Sequence, residues 1–203
     1  MASLVQAKTL GGVGSILVLL TFVPYAGAVI GIIGWILVLV AVKNLSETFG
    51  DNKIFNDMLI ATVLSIVGVI VATVLVVATV FQFIGIGSTF TPGTAPPADF
   101  LALVASLIIG LVVVWVFFLV ASIFLKRSYD AIGHKINIGT FHTTGLLFLI
   151  GAITTIIGIG ILILLIAVIL QIVAFFSIPE QLTQQQGQSW TPQPPPPPAP
   201  QTI

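Results

Sequence analysis

The sequence predicts an all-α fold: a polytopic transmembrane helical bundle with four to six membrane segments. Three observations predict it. Charged residues make up 6% of the 203 positions and apolar types 58%, whereas ordinary soluble domains carry about 25% charge. No side chain between Asp57 and Asp99 is charged, and Met58 to Gly87 is almost all Ile, Val, Leu, Ala, Phe, Thr and Gly. Comparable apolar runs recur on both sides, and the mean hydropathy is +1.23. Roughly 20 apolar residues carry a helix across a ~30 Å hydrocarbon layer, so each run is of membrane length. Six basic and six acidic side chains balance, which gives no electrostatic attraction to nucleic acid. The absence of cysteine excludes disulfides, thiolate metal sites and cysteine nucleophiles.

In chain order, Lys8 precedes an apolar run from Leu10 to Val42 that is broken only at Pro24-Tyr25-Ala26-Gly27. As one straight helix that run would be about 50 Å long, well over the hydrocarbon thickness. Pro24 lacks a backbone donor and Gly27 lacks a Cβ, so a hairpin of two arms, each about 21 to 24 Å, fits better. The same residues also fit a secretory signal cleaved after Ala28. The apolar run that follows at once favours the uncleaved hairpin. Lys43 to Asp57 forms a polar connection, with Asp51-Asn52 as turn chemistry and its carboxylates placed to cap the next helix. A cation site built on Asp51 and Asp57 is the weaker reading of that loop.

Ile54 to Ile86 is a long span, Gly87 to Asp99 a Pro/Gly-rich loop, and Phe100 to Leu125 another span ended by Lys126-Arg127. After the polar stretch Lys126 to His142, the chain is apolar to Ile178 except near Gly158-Ile159-Gly160. That length again overshoots the bilayer, and a second hairpin turning at the glycines is expected. With two hairpins, Lys8, Lys43, Lys53, Lys126, Arg127 and Lys135 share one face. The tendency of Lys and Arg to stay inside then places both termini in the cytoplasm of a multi-pass cell-membrane protein. If each hairpin were instead one long helix, four spans would remain and the C-terminal tail would lie outside. Laying Gly14 on Gly145 also pairs Gly27 with Gly158 and Ser46 with Ser177, but the few other matches in so apolar a chain support no duplication.

Helices in lipid associate through small residues and polar contacts, because lipid tails are as apolar as leucine. Such seams are expected at Gly27 and Gly31, at Ala61, Ser65, Gly68 and Ala72, and at Ala102, Ser106 and Gly110. Their spacing of three or four puts each set on one helix face. Trp35 and Trp115 fall mid-segment, where their ring N–H groups need partners within the bundle. No ionisable residue lies near the centre of a span, which argues against proton pumps and ion-coupled carriers. Thr154, Thr155, Gln82 and Gln171 are the notable polar groups in the apolar runs, and packing hydrogen bonds explain them best. His134 and His142 with Asp130 lack zinc-site spacing, so no metal and no cofactor is expected. Lys126, Arg127 and Lys135 are expected to meet anionic lipid headgroups or a partner.

The domain plan is a transmembrane region over 1–178 and a Gln/Pro-rich tail over 179–203. That composition cannot bury a core and predicts disorder, with Pro194 to Pro198 held in polyproline II. A stiff proline run with Trp190 offers a docking segment for a protein partner.

Lys8-Thr9-Leu10-Gly11-Gly12-Val13-Gly14-Ser15, the Pro24 break, Ala41-Val42-Lys43-Asn44-Leu45-Ser46, Ile54-Phe55-Asn56 and Ala174-Phe175-Phe176-Ser177-Ile178 resemble an archaeal membrane family catalogued as domain of unknown function 996. The resemblance covers residues 6 to 178. It implies an integral membrane protein, and it brings no reaction, substrate or catalytic residue with it. The expected function is that of a non-enzymatic membrane scaffold or adaptor working with the lipid bilayer and a partner for the tail. The alternative is a small-solute channel or transporter, a homo-oligomer assembled through the small-residue seams.

Overall fold

A computed structural model describes residues 4–23, 27–87 and 98–180. Residues 88–97, expected as a loop, and 181 onward, including Trp190 and the proline run, lie outside the described residues, as do Pro24, Tyr25 and Ala26. Among the described residues there are six α-helices: α1 (Leu4–Leu19), α2 (Gly27–Phe49), α3 (Asn52–Gly87), α4 (Ala98–Ile136), α5 (Gly139–Thr154) and α6 (Gly160–Phe176). Short 3-10 turns at Leu20–Phe22 and Thr155–Ile157 close α1 and α5. Among the described residues there is no strand. Each helix packs on the next in sequence, and α6 packs back on α1, so the six form a closed ring.

Both expected hairpins form. In the first, the backbones of α1 and α2 meet: a Cβ on Gly14 would lie 2.8 Å from the Gly34 carbonyl oxygen, and one on Gly34 would lie 2.6 Å from that of Gly14. In the second, Gly158 takes φ +81, a left-handed conformation that glycine adopts without penalty. Gly160 then sits directly under the Gly151 carbonyl and the Thr155 backbone.

Helices α2, α3, α4 and α5 taken with its 3-10 turn (Gly139–Ile157) are long and apolar enough to cross a membrane, whereas α1 and α6 are shorter apolar helices. The α3–α4 pair is much longer than its neighbours. With 36 and 39 residues, these helices run about 54 and 58 Å at 1.5 Å per residue.

Two of the polar connections are shorter than the sequence suggested. Helix α2 continues past Lys43 to Phe49, leaving only Gly50 and Asp51 before α3. Gly50 has φ +64, and the Asp51 amide donates back to the Ser46 carbonyl at 3.0 Å, the pattern of a left-handed helix cap. Likewise Lys126-Arg127 ends the apolar part of α4 but not the helix, which runs nine residues further to Ile136. The i,i+4 pair Lys126–Asp130 supports that extension. Asn137, at φ 55, then closes α4 while the Ile138 amide donates to the Gly133 carbonyl at 3.0 Å.

Burial shows a repeat that the residue types conceal. Laying Val38 on Gln171 also lays Ala41, Val42 and Leu45 on Ala174, Phe175 and Ile178, and all eight are fully buried. The same register puts Gly34 on Ala167 and Gly27 on Gly160, and it matches Gly11, Gly12, Ser15 and Val18 with Thr144, Gly145, Phe148 and Gly151, again all buried. The α1–α2 and α5–α6 hairpins therefore share part of one burial pattern, which breaks at Leu4, Gly14 and Gly31, whose counterparts Asn137, Leu147 and Leu164 are not buried. This register differs by two residues from the one the glycine matches suggested. Side-chain types diverge at the equivalent places, so only the burial pattern reveals it.

Candidate functional site

Two polar regions stand out against the apolar background. The first is the end of the bundle where α2 meets α3 and α4 meets α5. There the Asp51 carboxylate accepts the Lys53 amide at 3.2 Å, capping α3 as expected, and faces the Lys135 ammonium at 3.7 Å. Asp57, almost buried, pairs with Arg127 at 3.8 Å, whose guanidinium also lies 5.6 Å from the Phe124 ring centroid. One turn away, the Ser128 hydroxyl donates to the Ile54 carbonyl at 2.9 Å, bonding α4 to α3. Asp130 receives Lys126 on one oxygen at 2.5 Å and His142 Nδ1 on the other at 2.6 Å, tying α4 to α5. Lys43–Glu47 and Lys8–Glu180, each at 3.9 Å, complete the face.

The three basic residues expected at lipid headgroups thus lie together, each beside a carboxylate. Lys126 is 24% exposed along its side chain, Arg127 50% and Lys135 46%, so the last two still present charge outward. His142 joins Asp130, whereas His134 is exposed and stands apart. Among the described residues, no group of three His, Cys, Asp or Glu is placed to hold a metal ion.

The second region is the interior. Tyr129 is fully buried, its ring 5.8, 6.4 and 6.4 Å from those of Phe141, Phe148 and Phe175 in edge-on arrangements. Also in the interior, Gln171 Nε2 donates to Ser15 Oγ at 2.9 Å, and that hydroxyl donates to the Gly11 carbonyl at 2.7 Å. The Tyr129 hydroxyl, Gln171 Oε1 and Asn44 Nδ2 are buried with no hydrogen-bond partner among the described residues. An unpaired polar group in such surroundings costs about 1–3 kcal/mol.

The seam residues separate into two kinds. Gly27 lies against the Leu20 and Thr21 carbonyls and Gly31 against the Thr21 side chain. Gly68 faces Phe117, and Gly110 receives the Leu75 side chain. Ser65 bonds within its own helix to the Ala61 carbonyl at 2.9 Å. Ala102 and Ser106 are exposed and line a shallow groove with Gln82, Gly85, Asp99 and Leu103, where the two long helices leave space between them. Trp115 finds its partner in the Ala152 carbonyl at 2.9 Å, and Trp35 stacks at a tilt on Phe148, with centroids 6.3 Å apart.

Sequence reasoning missed two of the close contacts, Gly14 with Gly34 and Gly11 with the Phe175 ring. The spacing of Gly11 and Ser15 by four, and of Gly27, Gly31 and Gly34 by four and three, carried that signal.

The family of proteins of unknown function DUF996 matches residues 30–169. The chain belongs to the DUF996 family. An uncharacterised protein of Methanocaldococcus jannaschii is 30% identical over 181 residues, covering 89% of this chain and 96% of that protein. No solved structure matches the chain. The DUF996 match covers α3, α4, α5 and parts of α2 and α6, and so includes most of the charged face and Tyr129.

Proposed function

We propose that this DUF996 protein is a non-enzymatic membrane scaffold that presents its charged face and its C-terminal tail to a protein partner in the cytoplasm. The observation that carries this reading is the charge distribution. Of the twelve charged side chains, every one except Asp99 belongs to the end of the bundle where the ion pairs lie. Basic residues concentrate on the cytoplasmic side of membrane proteins, and Arg127 and Lys135 keep enough exposure to meet anionic headgroups at about 1 kcal/mol each. In this reading the headgroups hold the face at the surface and the Gln/Pro-rich tail supplies reach.

The test is a crosslinked pull-down with the full chain and with residues 181–203 deleted. Loss of partners on deletion supports the scaffold, and an unchanged partner set counts against it. A protease or tag-accessibility assay on sealed vesicles reads the side of the tail, with cytoplasmic protection expected.

A second reading is a small-solute channel or carrier assembled from several copies. It draws on the α3–α4 pair, whose outward residues are apolar and exposed over most of their length. Solute flux into proteoliposomes separates the two, since a scaffold shows none.

A further inference from the structure

The turn between α5 and α6 has the wrong surface for water. Ile156, Ile157, Ile159, Ile161 and Leu162 are each more than half exposed there, and no residue from Thr143 to Pro179 is charged. A turn that emerges into solvent is ordinarily built from Asn, Asp, Ser, Gly and Pro, and here only Gly158 and Gly160 conform.

The backbone of this turn also bonds within the protein. The Gly158 amide donates to the Thr155 carbonyl at 3.0 Å, and the Leu162 and Ile163 amides both donate to the Ile159 carbonyl, at 3.1 and 3.4 Å. The Thr154 and Thr155 hydroxyls donate to the Ile150 and Gly151 carbonyls at 2.8 and 2.6 Å. From α4, Trp115 Nε1 reaches the Ala152 carbonyl. Water would solvate such groups without help, whereas hydrocarbon requires them to be paired internally.

The register against α4 sets the depth. A Cβ on Gly145 would lie 3.1 Å from the Lys126 Cα, so these two residues are level, and the Trp115–Ala152 bond fixes the same antiparallel alignment farther along. From Gly145 to Gly158 is about 20 Å at 1.5 Å per residue, and from Lys126 back to Asp99 about 40 Å. The turn therefore stops about halfway along that stretch of α4, roughly 10 Å short of the far side of a ~30 Å hydrocarbon layer entered at Lys126. Length alone lets Gly139–Ile157 cross a membrane, but its first turn lies beside Gly133, at the polar end of α4.

We propose that the α5–α6 hairpin is re-entrant: it enters the membrane from the charged face and turns back inside the hydrocarbon, where acyl chains cover the isoleucines of the turn. It leaves through the face it entered. The inference rests on the membrane reading of the fold and not on the scaffold reading.

The chain has no cysteine, so single-cysteine variants can carry a nitroxide spin label at one site each. Ile157→Cys, Asp99→Cys and His134→Cys of the full chain are labelled in detergent and returned to vesicles. Relaxation of the label is then compared between oxygen, which concentrates in hydrocarbon, and a nickel chelate confined to water. At Ile157 the oxygen effect is expected to exceed the nickel effect several-fold, with the order reversed at Asp99 and His134. A nickel effect at Ile157 as large as at Asp99 overturns the proposal, since the turn then stands in water. Little response to either reagent overturns it too, because protein and not acyl chain then covers the turn. Should Ile157→Cys not fold, Leu162→Cys reads the same turn by the same criteria. If Val74→Cys in α3 responds to nickel as well, the membrane reading falls with the proposal.

Discussion

Near the charged end, the α3–α4 pair carries Ile54, Met58, Tyr129 and Ile132 fully buried, whereas farther along the same helices Val74, Phe81 and Ile84 are 64%, 72% and 65% exposed. Large apolar side chains stand at both places, so their residue type alone does not distinguish the buried set from the exposed one. What differs is the company: at the charged end, α1, α2, α5 and α6 complete the ring, and beyond their turns only the long pair continues. In water, the exposed half would violate every expectation for a folded surface. In lipid it needs no cover, because acyl chains solvate Val and Ile as well as another helix does. The lesson is that in this chain tight packing is specified by glycine, aromatic rings and a few hydrogen bonds, while the aliphatic majority specifies only the solvent.

The comparison predicts a steep gradient in sensitivity, largest at the Gly14–Gly34 crossing. Gly34→Leu would place a side chain where the Gly14 carbonyl and the Val18 amide already lie, each 2.6 Å from a Cβ built there. Backbone cannot yield as a flexible side chain can, so a loss of about 4 kcal/mol or more is expected. The measurement is the yield of monodisperse protein after extraction, with Val74→Leu as the tolerated counterpart. Equal yields would show that the hairpin is not closed by this contact.

Phe175→Ala comes next. The ring is fully buried, fills the space over Gly11 and meets both Tyr129 and Phe141. Truncating a buried phenylalanine costs about 3–5 kcal/mol. Thermal unfolding in detergent reads this directly, and Phe81→Ala in the exposed half is the matched control.

These contacts also show how far the sequence could be read. The helices were legible because charge and Pro/Gly punctuation mark where apolar runs stop, and the two hairpins, α1 on α2 and α5 on α6, followed from length against bilayer thickness. The ends of α2 and α4 were not, because Lys43, Lys126 and Arg127 end an apolar run without ending a helix. The face each helix buries was legible in part. Gly31 and Gly68 stand at contacts, whereas Ala102 and Ser106, equally small, line an open groove. Spacing identifies a stripe but not what stands opposite it. The interior pairing of Ser15 with Gln171, 156 residues apart, left no local signal at all, since each looks like an isolated polar residue in an apolar run.

Arg127→Ala addresses the charged face, with an expected loss of about 1–3 kcal/mol. An exposed ion pair is worth roughly 0–1 kcal/mol, but Asp57 is only 7% exposed, and a carboxylate left there without its partner bears a desolvation penalty. Adding Asp57→Asn to Arg127→Ala removes the stranded charge and should restore part of the loss. If the single variant is as stable as the parent, the pair is a surface contact like Lys43–Glu47, whose side chains are 55% and 53% exposed.

The smallest effect, and the sharpest test of the contrast, is expected within α3 itself. Gly68 and Val76 are two turns apart, yet Gly68 is buried against the Phe117 Cβ, 3.2 Å from a Cβ built on it, while Val76 is 61% exposed. By helix propensity alone Gly68→Ala should stabilise by up to about 1 kcal/mol. The contact opposes that gain, because α4 must shift by a few tenths of an ångström to admit the methyl group. The two terms nearly cancel, and a net change within about 1 kcal/mol of zero is expected. Val76→Ala removes two methyl groups that lipid or detergent surrounds, so no cavity forms and no partner loses contact. A change within about 0.5 kcal/mol is expected. The informative variants are the larger ones at the same two sites. Gly68→Leu must push α4 away and should cost several-fold more than Val76→Leu, which only replaces one lipid-facing aliphatic side chain with another. Were the two leucine variants equally stable, the outer faces of α3 would have to be equivalent, and the division of this pair into a packed seam and a lipid-facing surface would fail.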